Sequence, residues 1–482
     1  MRYSRGIVLL RYNPNDPKPL RDLQAFVGRE IDRVRTLKKA FIQTYGCQMN
    51  EHDTHRMMAV LVAEGYAMTT DPEEASLVLI NTCSVRRNPE NKVYSLLGRL
   101  RERKAKHPEL IVGVGGCVAQ QEGDAILKRD KTVDMVFGPD NLFKLPEMIA
   151  AVEAGERVLM TKWQPHEKRI QNFIPEEWVE HGHVEGCKAY ISITKGCDNF
   201  CTFCVVPYTR GREVSREPEN ILREARNLIG QGAKEIWLLG QNVNSYRAGR
   251  YGFHELLEDI SQLPGLVRLR FTSPHPNDWT NALSDLMAER RVICNQLHLP
   301  FQAGSDRILQ AMRRGHTLDA YLEKITYIRS VNPDLELSSD LIVGFPTETD
   351  ADFEQTLDVL REVRFSLLYP FKYSQRPKTR AATMEDDVPL EVKVERLRRV
   401  IELQDAIHAE DIDRYVGTEQ RVLIDGAHPR ERNRMSGRTD GFRPVSILDA
   451  DLEIGDLVDV RITRAGGHWL YGEVNTPAPA TV

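Results

Sequence analysis

Three cysteines within eight residues constrain this chain more than any other feature. Cys197, Cys201 and Cys204 form a Cys-x3-Cys-x2-Cys pattern that opens on Lys195-Gly196 and runs into Val205-Val206-Pro207-Tyr208-Thr209-Arg210-Gly211. Three thiolates this close together can reach one iron–sulfur cluster, and a four-iron cubane held by three protein ligands leaves one iron open. An open iron binds a small molecule directly, which points to reaction chemistry rather than electron storage. A structural zinc site closes four positions, normally with paired Cys-x2-4-Cys hooks, and here a fourth ligand would have to come from far away. A disulfide framework belongs to small secreted chains. Phe200 and Phe203 lie among the ligands, and Pro207 ends the loop.

The remaining composition narrows the class. A chain of 482 residues predicts two or three domains. No apolar run approaches the length of a membrane span. The net charge of −5 carries no global nucleic-acid signature, so any RNA contact must use local basic patches. Eight cysteines in a chain of this size read as metal or redox chemistry in a reducing, cytoplasmic compartment. Residues 1–37 mix Arg and Lys with Asp16, Asp22, Glu30 and Asp32, and read as an N-terminal extension rather than a leader.

Residues 38–154 repeat one design three times. Apolar, β-prone runs at 40–46, 75–82 and 110–116 end at Cys47, Cys83 and Cys117, with helical patterns at 54–64 and 88–106 between them. Strand–helix alternation predicts a small parallel α/β sheet, whose sites form beyond the carboxyl ends of the strands. Such a fold would bring the three cysteines together across gaps of 36 and 34 residues and supports a second three-cysteine cluster. The alternative is three separate buried thiols. Residues 155–182 read as a linker, with Pro165, Pro175 and weak periodicity.

Residues 183–413 alternate strands, at 188–194, 235–239, 266–271, 296–299, 336–343 and 366–373, with helices. Six such units predict a partial (β/α)6 barrel with its active residues at the carboxyl ends of the strands. Cys187 and Cys294 lie outside both triplets and read as structural thiols; His275 and His298 read as groups that support the site from behind or pack, rather than as metal ligands. From 416 to 479 short strands predict a small C-terminal β-barrel, with Arg430, Arg432, Arg434, Arg438 and Arg443 crowded in one segment.

The cluster loop with its Val205–Gly211 continuation resembles the radical S-adenosylmethionine (SAM) motif of methylthiotransferases, most nearly the tRNA-modifying MiaB type. Thr44-Tyr45-Gly46-Cys47-Gln48-Met49-Asn50, Asn81-Thr82-Cys83-Ser84-Val85-Arg86 and Gly115-Gly116-Cys117-Val118-Ala119-Gln120 are similar to that family's N-terminal domain, and the C-terminal barrel resembles its RNA-binding TRAM domain. The resemblance spans roughly residues 38–475. It implies two [4Fe-4S] clusters, one on Cys197, Cys201 and Cys204, where SAM is chelated and cleaved, and an auxiliary one on Cys47, Cys83 and Cys117. It further implies that Gln302 and Ser305 approach the ribose or methionine of SAM, that Gly344 admits its adenine, that Phe203 and Phe371 flank that ring, and that Asp340 is the inward-pointing acid. Asn50 and Gln48 either hydrogen-bond a cluster or serve as turn polarity. Arg86, Arg87, Arg210, Arg212 and Arg216 either meet phosphates or form salt bridges. The implied activity is methylthiolation of C2 of N6-isopentenyladenosine beside the anticodon, with a tRNA anticodon stem-loop, an electron-donating reductase and a sulfur donor as partners, no membrane, and a monomeric enzyme. Relatives acting on threonylcarbamoyl-adenosine or on a ribosomal-protein aspartate are the rivals, as is a non-catalytic iron–sulfur RNA-binding module.

Overall fold

The structure, a computed structural model, describes residues 38–84, 88–171, 173–448 and 451–475. In the first unit six parallel strands, β1 (Lys39–Thr44), β2 (Ala67–Met68), β3 (Leu77–Thr82), β4 (Ile111–Gly116), β5 (Met135–Phe137) and β6 (Val158–Met160), lie in the order β2-β1-β3-β4-β5-β6. Both faces are covered, so the strands read as continuous apolar runs. In β3 Val78 and Ile80 enter one core, with Leu96, Leu97 and Leu100 of α2 (Asn88–Lys106). Leu77 and Leu79 enter the other, with Met57, Val60 and Leu61 of α1 (Gln48–Ala63).

Two sequence expectations change here. Helix α1 begins at Gln48 rather than near 54, because the Cys47 carbonyl already accepts the Asn50 and Glu51 amides. The stretch read as a linker supplies β6, which pairs with β5 through Met135–Val158 and Phe137–Met160. Three residues are too few for strand periodicity to show in sequence.

The central unit carries six parallel strands in chain order: β7 (Lys188–Ser192), β8 (Glu235–Leu239), β9 (Arg268–Phe271), β10 (Gln296–His298), β11 (Glu336–Val343) and β12 (Leu367–Lys372). A bridge from Leu269 to Ile293 joins the two halves into one arc, a partial barrel. Alternation sorts each strand: Ile236 and Leu238 pack outward against helices, whereas Trp237 and Leu239 turn inward.

The third unit is a closed barrel of β13 (Glu419–Ala427), β14 (Met435–Arg438), β15 (Pro444–Ile447), β16 (Leu457–Gly466) and β17 (Trp469–Val474). It docks on residues at the starts of the central strands. Arg268 reaches Asp440 and the Arg438 and Arg421 carbonyls, Arg270 reaches the Thr439 and Asp440 carbonyls, and Lys188 pairs with Asp425 at 2.9 Å. Glu336 accepts from Arg443 at 2.9 Å, from Arg414 and from Tyr415. Three of the five crowded arginines are therefore spent inside the protein: Arg443 on Glu336, Arg438 on Asp425 at 3.4 Å, and Arg434 on Ser446 at 2.6 Å. Among the described residues no helix is long and apolar enough to cross a membrane.

Candidate active site between two cysteine trios

Strands β1, β3 and β4 are neighbours, in register through Thr44–Asn81 and Thr82–Gly116. Cys47, Cys83 and Cys117 each follow one of them, so three distant positions become adjacent, as expected at the carboxyl edge of a parallel sheet. Asn50, fully buried on the first turn of α1, cross-links these ends. Its Nδ2 donates to Asn81 Oδ1 at 3.0 Å and the Thr82 carbonyl at 2.8 Å, while its Oδ1 accepts from the Cys47 thiol at 3.4 Å. Asn50 is thus committed to protein groups. Gly116 takes φ +91, and a Cβ there would be driven onto the Thr82 carbonyl oxygen. Only glycine lets β4 end that close to β3.

The thiols feel one another. Hydrogen bonding with Cys83, helped by the Arg210 charge and the Asn50 and Met49 amides against burial, holds the Cys47 thiol down to about 6. Burial pushes Cys117 up, opposed by Arg210.

The second trio sits in the loop after β7. The Cys197 amide donates to the Gly211 carbonyl at 3.2 Å, and Thr202 bonds the Met312 carbonyl through its amide and the Ala311 carbonyl through its hydroxyl. Burial pushes Cys197 and Cys204 up to about 12. Protons held by these thiols would leave on metal binding. The buried Arg314 donates Nη1 to Cys201 Sγ at 3.4 Å and Nη2 to the Pro300 carbonyl at 3.0 Å.

The segments that carry the two trios pack at one junction. The short helix α3 (Cys117–Glu122), which begins at Cys117, packs on the turn Val206–Thr209 that follows Cys204. At its end Arg210 crosses the junction: Nε donates to Cys117 Sγ at 3.3 Å and Nη2 pairs with Asp53 of α1 at 2.7 Å. Behind it Arg56 and Arg216 share the buried Glu224. Arg169, in the supposed linker, clamps Asp140 at 2.7 Å to the Arg210 and Arg212 carbonyls. Arg210 and Arg216, 3 % and 2 % exposed, are closed to phosphates; Arg212 is exposed and paired with Asp198 at 2.6 Å. Arg86 and Arg87 lie outside the described residues. The salt-bridge reading therefore holds for Arg210, Arg212 and Arg216, but the partners of Arg210 were not readable in sequence, since Asp53 and Cys117 come from another domain.

Of the residues expected near SAM, Gln302 holds φ +71, fixed by its amide to the Asp340 carbonyl at 3.1 Å and its carbonyl to the Ile342 amide at 3.0 Å. Asp340 points inward and lies 3.5 Å from His298 Nε2, with Tyr369 and Phe371 on the same face and Phe371 39 % exposed. Phe203 packs beside Ala303, Phe345 and Tyr373. Ser305 is buried and its hydroxyl donates to Asp352 Oδ1 at 2.5 Å. Gly344 sits at φ +68, with the Lys393 stem filling the space over its missing side chain. Cys187 donates toward the Ile424 carbonyl at 3.5 Å under the C-terminal barrel, and Cys294 is buried, as structural thiols.

Residues 39–138 match the uncharacterized protein family UPF0004, residues 191–360 the radical SAM superfamily and residues 413–474 the TRAM domain. The chain is 45 % identical to a tRNA-2-methylthio-N(6)-dimethylallyladenosine synthase of Bdellovibrio bacteriovorus, over 90 % of this chain and 95 % of that protein. It is 43 % identical to the synthase of Ralstonia nicotianae, over 92 % and 99 %. The chain belongs to the tRNA-2-methylthio-N(6)-dimethylallyladenosine synthase family. It is an enzyme of the radical SAM superfamily, and its cofactors are SAM and [4Fe-4S] clusters. A solved radical SAM methyltransferase, TsrM of Kitasatospora setae with tryptophan and a SAM analogue bound, shares the fold at TM-score 0.53 and 16 % identity, covering 71 % of this chain and 75 % of that one.

The residues fit clusters of this kind. Each trio is all-thiol, and none of its members is tied up in a disulfide, which is the donor set an iron–sulfur cluster takes.

Proposed function

We propose that this chain methylthiolates C2 of N6-isopentenyladenosine beside the anticodon of tRNA, giving the 2-methylthio nucleoside. The observation that supports the reading is the junction at Arg210, where the Cys117 thiol of one trio touches the segment that follows Cys204 of the other. Radical chemistry acts only on what is held at contact distance, so two cluster sites serving one base must share a cavity. The relatives that this chain matches over nine-tenths of its length are synthases of that nucleoside by name.

Cys197, Cys201 and Cys204 would hold one [4Fe-4S] cluster, and Cys47, Cys83 and Cys117 the other. When bound, the first supplies the electron that splits SAM and the second the sulfur that is transferred. This chain's own part is to place and enclose. Gln302, in a strained left-handed conformation of the sort that gathers at binding sites, supports a SAM contact on the fourth strand's loop. Asp340, Phe371 and Phe203 line or border the same end of the barrel, and the open face of Leu367, Tyr369 and Phe371 offers an apolar wall for a prenylated base. The base must leave its stack to enter. On the C-terminal barrel Arg464 stacks on Tyr471 at 3.7 Å, beside the exposed Arg430 and Arg432, a surface suited to an anticodon stem-loop. An external reductase and a sulfur donor complete the cycle, in a reducing cytoplasm, with the enzyme acting as a monomer.

The test is an anaerobic assay with SAM, dithionite and tRNA carrying the isopentenyl group, read by nucleoside analysis. Formation of 2-methylthio-isopentenyladenosine is expected. Methylthiolation of threonylcarbamoyl-adenosine tRNA or of a ribosomal-protein aspartate instead would overturn the substrate assignment. Absence of 5′-deoxyadenosine would overturn the enzyme.

A further inference from the structure

We propose that Arg210 is a positioning residue that raises the reduction potential of the cluster site at Cys47, Cys83 and Cys117, and that Asp53 sets how far it does so; this rests on the ligand assignment above. The geometry is direct. Arg210 is buried, its Nε–H points at Cys117 Sγ from 3.3 Å, and its Nη2 is 2.7 Å from Asp53 Oδ2. Its backbone cannot drift: its amide donates to the Val206 carbonyl at 2.7 Å and its carbonyl accepts from Arg169 Nη2 at 2.7 Å. The guanidinium therefore belongs to the central unit, while the thiol it serves belongs to the first.

Reduction adds one electron, here from dithionite, and makes or breaks no bond. The reduced state carries one more negative charge on the metal and its sulfurs. A cationic N–H···S contact stabilises that state more than the oxidised one, and a nearby carboxylate does the reverse; charge and hydrogen bonds to sulfur are the protein's main means of setting such potentials. Burial strengthens both effects because water does not screen them. Among the described residues the other charged or titratable groups facing this point are His52, 3.8 Å from Asp53, and Arg56, which is committed to Glu224. Arg210 and Asp53 consequently act on the thiol with opposite sign from one packed ion pair.

That opposition makes the proposal testable apart from structural damage. In the full chain with Cys197, Cys201 and Cys204 changed to alanine, only the first trio can carry a cluster. Its potential is measured by EPR-monitored dithionite titration, with iron and sulfide counted. Arg210→Gln is expected to lower the potential and Asp53→Asn to raise it, with Arg210→Lys between Arg210→Gln and the parent because it keeps the charge and loses the Nε–H. Shifts of the same sign, or no shift in either variant, would overturn the proposal. Should Arg210→Gln fail to retain iron, Arg210→Lys against Asp53→Asn decides by the same rule of opposite signs. A parent chain that binds no iron through the first trio would instead overturn the ligand assignment, and the proposal with it.

Discussion

The two cysteine trios solve one problem in opposite ways. Cys197, Cys201 and Cys204 come from a single loop, held by one near bond to the Gly211 carbonyl and by two from Thr202 to the distant Ala311 and Met312 carbonyls. Cys47, Cys83 and Cys117 come from three strands and exist as a group only because β1, β3 and β4 pair in register. Each trio has one thiol touched by a buried arginine, but Arg210 is shared with Asp53, whereas Arg314 pairs with no carboxylate among the described residues. A loop trio depends on its own spacing; a strand-end trio depends on everything that holds a sheet edge together.

The sharpest way to break the comparison is to remove one ligand of the loop trio. Cys201→Ala should abolish 5′-deoxyadenosine release while leaving the first trio's iron in place, about half the total. Loss of all iron would show that the sites are not independent. Next, Gly116→Ala, which changes no ligand, should cost the strand-end trio its iron, because the new methyl meets the Thr82 carbonyl at a φ that L side chains rarely adopt. Release of 5′-deoxyadenosine should persist, and a normal iron count would refute the argument.

Glu224→Gln tests the docking of the two units. It leaves Arg56 and Arg216 buried without a counter-charge, which costs about 3–5 kcal/mol. The first thermal transition should fall by several degrees, and an unchanged melt would exclude a docking role. The smallest effect concerns His275, which lies near Arg314. Burial and the Arg314 charge depress His275 to about 2, below its unfolded value near 6.5. A depressed histidine binds fewer protons folded than unfolded, so its stability is present above pH 6.5 and lost as pH falls from there, at about 1.4 kcal/mol per unit. His275→Asn should flatten the acid limb of a denaturant-midpoint profile; an identical slope would show that other groups carry it.

Much of this was legible because it is local. The Cys-x3-Cys-x2-Cys word, the apolar runs ending in cysteine and helix 88–106 depend on near neighbours in the chain, and α2 spans Asn88–Lys106 as its pattern predicts. Short pieces were not legible: β5 and β6 have three residues each and no periodicity of their own. Nor were the partners of polar residues. Nothing in the sequence shows Asp352 beside Ser305, or the Lys393 stem over Gly344. Arg443 looks like an RNA contact until Glu336 claims it.

Residue order alone determined which thiols exist, which lie within one loop, and that three others end strands able to lie side by side, because spacing and period are properties of the chain. Only the tertiary structure decided that the segments carrying the two groups meet, and that Arg210 and Asp53 stand at the junction. The reason is range: a buried ion pair acts across a few ångströms that may separate residues 157 apart in sequence, and no local pattern records which distant charge folding will bring there.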